Sequence, residues 1–198
     1  MTEFSSPELL KQRLGGCNLY LIGMMGSGKS STGPYLAQEL AYGFVDSDKV
    51  IEQACGESIS MIFSKEGELG FRNVETKVLN AIGQRHSLVV ATGGGLITKV
   101  ENWGVLHQGI VIWLDPSPEK LFQRLQSDPG DRPLLKNKNP RLGFENLCKD
   151  RERFYQEADL HVKIFKETPA EVAKLILKAL PPILCERDDL GVQQTTEG

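Results

Sequence analysis

Long apolar runs, clustered cysteines and a surplus of charge of either sign are all missing from this 198-residue chain. No stretch approaches the ~20 apolar residues that cross a bilayer as a helix, so no membrane partner is expected. The 23 basic residues are balanced by 26 acidic ones, for a formal net charge of -3. Such a balance offers nucleic acid no global attraction, and any anion site must be local. Cys17, Cys55, Cys148 and Cys185 lie far apart, and His86, His107 and His161 stand nowhere near them in metal-ligand spacing, which disfavours zinc. The opening MTEFSSPELLKQRL has the pattern of neither a secretory signal nor an Arg-rich transit peptide. A cytoplasmic protein with reduced cysteines is the expectation. The length suits one domain with a substantial core, and no internal repeat divides it.

What is present alternates. Short apolar runs at Asn18–Gly23, Gly43–Asp48, Ser87–Gly95, Gly109–Asp115 and Leu160–Phe165 read as five buried strands. Between them lie helical stretches at Lys29–Leu40, Val50–Phe63, Glu75–Ile82 and Glu119–Leu125. Thr168-Pro169-Ala170-Glu171 forms a capping box that opens a last helix, and Pro181-Pro182 is expected to end it. This order predicts an α/β fold, a three-layer sandwich built on a parallel sheet with ligands at the carboxyl ends of its strands. Residues 1–16 read as an extension carrying a short surface helix at 7–14, 17–182 as the domain, and 183–198 as a disordered tail. QSDPGDRPLLKNKNPR, residues 126–141, reads as a loop or lid.

The sharpest signal is GMMGSGKSS, from Gly23 to Ser31. It matches G-x-x-x-x-G-K-[ST] and stands where that pattern must, after a strand and before a helix. Backbone N–H groups of Gly26, Ser27, Gly28 and Ser31 are expected to surround phosphate oxygens. Lys29 reaches the outer phosphates and the Ser30 hydroxyl a magnesium ion, so the loop is expected to hold a nucleoside triphosphate. What it does with the phosphate depends on the other strand ends. Strand three ends in Thr92-Gly93-Gly94-Gly95, without the acid that many hydrolases carry there, and Asn137-Lys138-Asn139 is followed by Pro140, so guanine reading is disfavoured. The acids stand at strand two, where Asp46 and Asp48 flank Ser47. As strand residues two apart they are expected to share a face, one toward magnesium and one toward a hydroxyl group; taken alone, DSD reads more readily as a surface turn or a helix cap.

With these motifs the chain resembles a shikimate kinase. The resemblance rests on GMMGSGKSSTG, FVDSD, the segment GELGFRNVE, VVATGGG, DRPLL and RERFYQEAD, in that order. It covers residues 18 to about 180; the P-loop alone is widely shared, whereas the combination is specific. It implies a P-loop NTPase fold with strand order 2-3-1-4-5 and magnesium-dependent transfer from ATP to the 3-hydroxyl of shikimate, in aromatic amino acid biosynthesis. Lys29, Asp48 and Arg132 are then the catalytic residues. Arg72, Arg151 and Gly94 hold the shikimate carboxylate, Asp48 its hydroxyls, and Asp46 and Ser30 the metal. Arg132 reaches the transferred phosphate from the lid, and Arg124 lies against adenine. A monomer is expected. The residue chemistry alone, arginines for a carboxylate and an aspartate for hydroxyls, suits gluconate as well as shikimate. A nucleotide-binding relative without kinase activity is the remaining alternative.

Overall fold

The computed structural model describes residues 7–127 and 140–194. Five strands, β1 (Leu19–Ile22), β2 (Gly43–Asp46), β3 (Leu88–Ala91), β4 (Ile110–Pro116) and β5 (Leu160–Ile164), pair in parallel in the order β2-β3-β1-β4-β5. Each is linked to the next by helices: α2 (Lys29–Leu40), α3 (Ser47–Cys55) with α4 (Ile59–Gly83), α5 (Val100–Leu106), and α6 (Pro118–Ser127) with α7 (Pro140–Tyr155). Strand alternation splits the core in two. Leu19 and Leu21 face one hydrophobic cluster with α2 and the C-terminal helix α8 (Pro169–Gln194), while Tyr20 and Ile22 face another with α4, α5 and α7. All four of these β1 side chains are buried, as a central parallel strand requires. No helix among the described residues is long and apolar enough to cross a membrane.

Three expectations change. The helix α1 (Pro7–Leu14) is not confined to the surface, because Leu10 and Leu14 lie one turn apart and enter the core beside α2 and α8. Residues 50–63 do not form one helix: Gly56, at φ 68, ends α3, and the Ser58 hydroxyl caps α4. Pro181-Pro182 does not end α8, which continues to Gln194 through the start of the 183–198 stretch. Proline costs a helix interior roughly 3 kcal/mol. Beyond the prolines Leu184 is buried in the core, and that packing, at roughly 1.5–3 kcal/mol, offsets part of their cost. Of the expected lid, Gln126 and Ser127 belong to α6, Pro140 and Arg141 to α7, and 128–139 lie outside the described residues.

Candidate active site

All the described site residues gather at the carboxyl ends of β1 to β4. The loop after β1 reaches α2 through Gly28, which caps the helix at φ 100, a left-handed conformation that glycine adopts without strain. Lys29 is buried, and its ammonium donates to the carbonyls of Gly23 and Met24 at 2.8 and 2.9 Å and to the Ser27 hydroxyl at 3.3 Å. The lysine thereby ties the loop around itself. From α6, Arg124 donates to the Gly26 carbonyl at 2.8 Å, so this predicted residue does reach the loop.

Two cavities meet there and share Gly26, Lys29 and Ser30. One, of about 620 Å³, is lined by Asp46, Asp48, Arg72, Arg151 and the three glycines after β3. The other, of about 780 Å³, runs past Ser31 to Lys120, Arg124 and Pro169. One end of the shared loop thus faces carboxylates and guanidinium groups, and the other faces α6. Arg132 lies outside the described residues.

The two aspartates do face one cavity, but not as neighbours on a strand. β2 stops at Asp46, whose Oδ1 caps α3 by accepting from the N–H groups of Asp48 at 3.1 Å and Lys49 at 3.4 Å. Asp48 therefore sits in the first turn of α3. An aspartate competes well for exposed helix N–H groups, and here that preference overrides strand extension. One oxygen of Asp46 is committed to the cap. Oδ1 of Asp48 is buried and has no hydrogen-bond partner among the described residues. Burial, reinforced by the Asp46 charge, raises the Asp48 pKa above the usual carboxylate range, with Lys29 and Arg72 pulling it partly back.

Arg72 projects from α4 and pairs with buried Glu75 at 2.7 Å and with exposed Glu68 at 3.3 Å. Glu75 is itself pushed upward in pKa by burial, against the charge of Arg72. Arg151, from α7, donates to the Gly94 carbonyl at 3.1 Å, and the Tyr155 hydroxyl donates to the same oxygen at 2.8 Å. Side chains from the neighbouring helices crowd the backbone at two of the three glycines. A Cβ on Gly95 would lie 2.2 Å from Nη2 of Arg72, and one on Gly93 would lie 2.4 Å from Oε1 of Glu75 and 2.8 Å from Oδ1 of Asp48. The Gly93 N–H is fixed by the Ser47 hydroxyl at 3.0 Å. Two buried arginines thus share one wall with an unpartnered carboxylate oxygen, an arrangement able to take a small molecule bearing both an anion and a hydroxyl group.

Sequence reasoning missed Glu75, Tyr155, Ser47, Gly93 and Gly95 as parts of this assembly. Glu75 had a signal, since it stands three residues after Arg72 on one helix face. Tyr155, likewise, stands one turn after Arg151.

The model of the shikimate kinase family matches residues 25–181. A shikimate kinase of Prochlorococcus marinus strain MIT 9313 is 60% identical over 184 residues, covering 93% of this chain and 96% of the relative. One from Parasynechococcus marenigrum is 61% identical, over 88% of this chain and 92% of that one. Among solved structures, a shikimate kinase from Acinetobacter baumannii in complex with shikimate is 40% identical and superposes with a TM-score of 0.81, covering 86% of this chain and 96% of the other. Together with the loop after β1, the acid after β2 and the arginine-flanked glycines after β3, these matches place the chain in the shikimate kinase family.

Proposed function

We propose that the chain transfers the terminal phosphoryl group of ATP to the 3-hydroxyl of shikimate, giving shikimate 3-phosphate and ADP. The observation that carries the reading is the single cavity in which Lys29, the unpartnered oxygen of Asp48, and Arg72 and Arg151 all meet. Arg72 and Arg151 bind the carboxylate of the acceptor, with Gly94 between them. Asp48 orients the attacking hydroxyl and accepts its proton as the bond to phosphorus forms. Its raised pKa makes it a stronger base than an exposed aspartate. Lys29 stabilises charge on the transferred group, and Arg132 is assigned to the same task from the lid. Gly26, Ser27, Gly28 and Ser31 hold the phosphates through their N–H groups, and Arg124 flanks the base.

The donor set suits magnesium. Ser30 and Asp46 line the same cavity and offer a hydroxyl and a carboxylate oxygen, hard ligands of the kind magnesium uses alongside substrate phosphates and water. Ser30 and the Asp46 oxygen not committed to the helix cap would hold the ion, which neutralises phosphate charge when bound. The enzyme acts as a monomer in the cytoplasm, on ATP and shikimate, in aromatic amino acid biosynthesis.

A panel of hydroxy acids in a coupled ADP-release assay, with and without magnesium, tests the reading. Shikimate is expected to be turned over far faster than gluconate, and only with the metal. Comparable rates for gluconate would make the acceptor assignment wrong, and no turnover of any acceptor would make the chain a binding module.

A further inference from the structure

The cavity assigned to the nucleotide has two walls that belong to different parts of the chain. One is the loop after β1, and the other is the start of α8 at Pro169, where the turn from β5 ends. The helix α6 stands between them and touches both. Arg124 holds the first wall through the Gly26 carbonyl at 2.8 Å. Lys120 lies one helical turn earlier, on the same face as Arg124. Its ammonium donates to the backbone carbonyl of Phe165, the first residue after β5.

The turn that Lys120 grips is already stiff. The carboxylate of Glu167 accepts from the N–H groups of Phe165 at 2.7 Å and Lys166 at 2.9 Å. The Thr168 N–H and hydroxyl both donate to Glu171 at 2.8 Å, and the Glu171 N–H returns to the Thr168 hydroxyl at 3.4 Å. These bonds fix the shape of the turn but join it to nothing outside itself. Lys120 supplies a link from the turn to α6, and through Arg124 that helix is linked to the phosphate loop.

We infer that Lys120 is a positioning residue for the nucleotide: it sets the distance between the β5–α8 turn and the phosphate loop, and so the width of the slot that receives the base. The inference rests on reading this cavity as the nucleotide's. Lys120→Met keeps the aliphatic stem and removes the donor, whereas Lys120→Arg keeps a donor.

The test measures Michaelis constants for both substrates and equilibrium binding of ATP, ADP and adenosine by calorimetry. Lys120→Met is expected to raise the constant for ATP about 5- to 10-fold, the size of one exposed hydrogen bond's loss, and to leave that for shikimate unchanged. Binding of ATP, ADP and adenosine should weaken by similar factors, and Lys120→Arg should restore most of the affinity. A loss that grows with phosphate number would mean that Lys120 touches the phosphates directly, which overturns the positioning role. Equal rises for ATP and shikimate would make the residue merely structural and overturn it as well. Arg124→Ala, run alongside, separates the two readings. If ATP affinity falls in Arg124→Ala and not in Lys120→Met, the role of Lys120 is wrong and the cavity assignment stands; if it falls in neither, the nucleotide does not enter this cavity.

Discussion

Asp48→Asn should make the protein more stable and nearly inactive at once. The wild-type Asp48 is half-buried, with one carboxylate oxygen buried and unpartnered among the described residues and Asp46 close by. Burying the charge of a carboxylate costs more than burying a neutral amide of the same shape. The amide removes the charge while keeping the shape, so a gain of about 1 kcal/mol is expected, which raises the melting temperature by about 2–4 °C for a chain of this size. The pH dependence carries the sign. A carboxyl group whose folded pKa is raised binds its proton more tightly in the native state. Its stabilising contribution is fully present below the unfolded pKa and is lost as pH rises through the folded one. Wild type and variant should therefore melt together at low pH, where Asp48 is protonated, and separate as pH climbs. Turnover should fall roughly 10²-fold, the scale of a lost general base, with its magnesium dependence unchanged. Thermal melts from pH 4 to 8 beside initial-rate assays decide the matter. A variant less stable than wild type at pH 8, or a stability difference that ignores pH, refutes the reasoning.

Other substitutions probe the remaining parts. Gly95→Ala should raise the Michaelis constant for shikimate at least tenfold and spare that for ATP, because the new methyl group displaces the Arg72 guanidinium; steady-state kinetics with each substrate varied will show it. Glu75→Ala leaves Arg72 without its buried partner and should destabilise the fold by about 3–5 kcal/mol, read from urea unfolding. Lys29→Met should abolish transfer at any substrate concentration, whereas Asp46→Asn should be partly rescued by excess magnesium in a metal titration of initial rate.

The fold was legible because its main elements announce themselves locally. β1 ends in glycine before a lysine-led helix, β4 is a continuous apolar run, and Thr168-Pro169-Ala170-Glu171 opens α8 with a capping box whose reciprocal bonds are present. The elements misread were those decided by packing. Leu10, Leu14 and Leu184 converge on one core cluster, and nothing local to any of them says so. At the site, the described residues predicted from motifs, Ser27 apart, line the two cavities, while those that orient them were not anticipated. Arg72 and Arg151 stand in recognisable segments, but the need for Gly93 and Gly95 comes from side chains that arrive from α3 and α4. The DSD pattern brings both acids to one cavity through the cap of a helix, the plainer of its two readings, and not through alternation along a strand.

The arrangement also explains why the phosphate loop can be shared by two cavities without blurring their roles. Lys29 is held by three oxygens of its own loop, so its ammonium is fixed at the junction and need not be recruited from solvent. On one side, the acids and arginines stand on α3, α4 and α7, which pack against one sheet face. On the other, Arg124 and Lys120 stand on a single helix face, joined to the loop and to the β5–α8 turn. The two sides also meet where α6 packs on α7, with the Phe122 and Phe144 rings 6.1 Å apart, so a shift on one side has both the loop and this contact by which to reach the other.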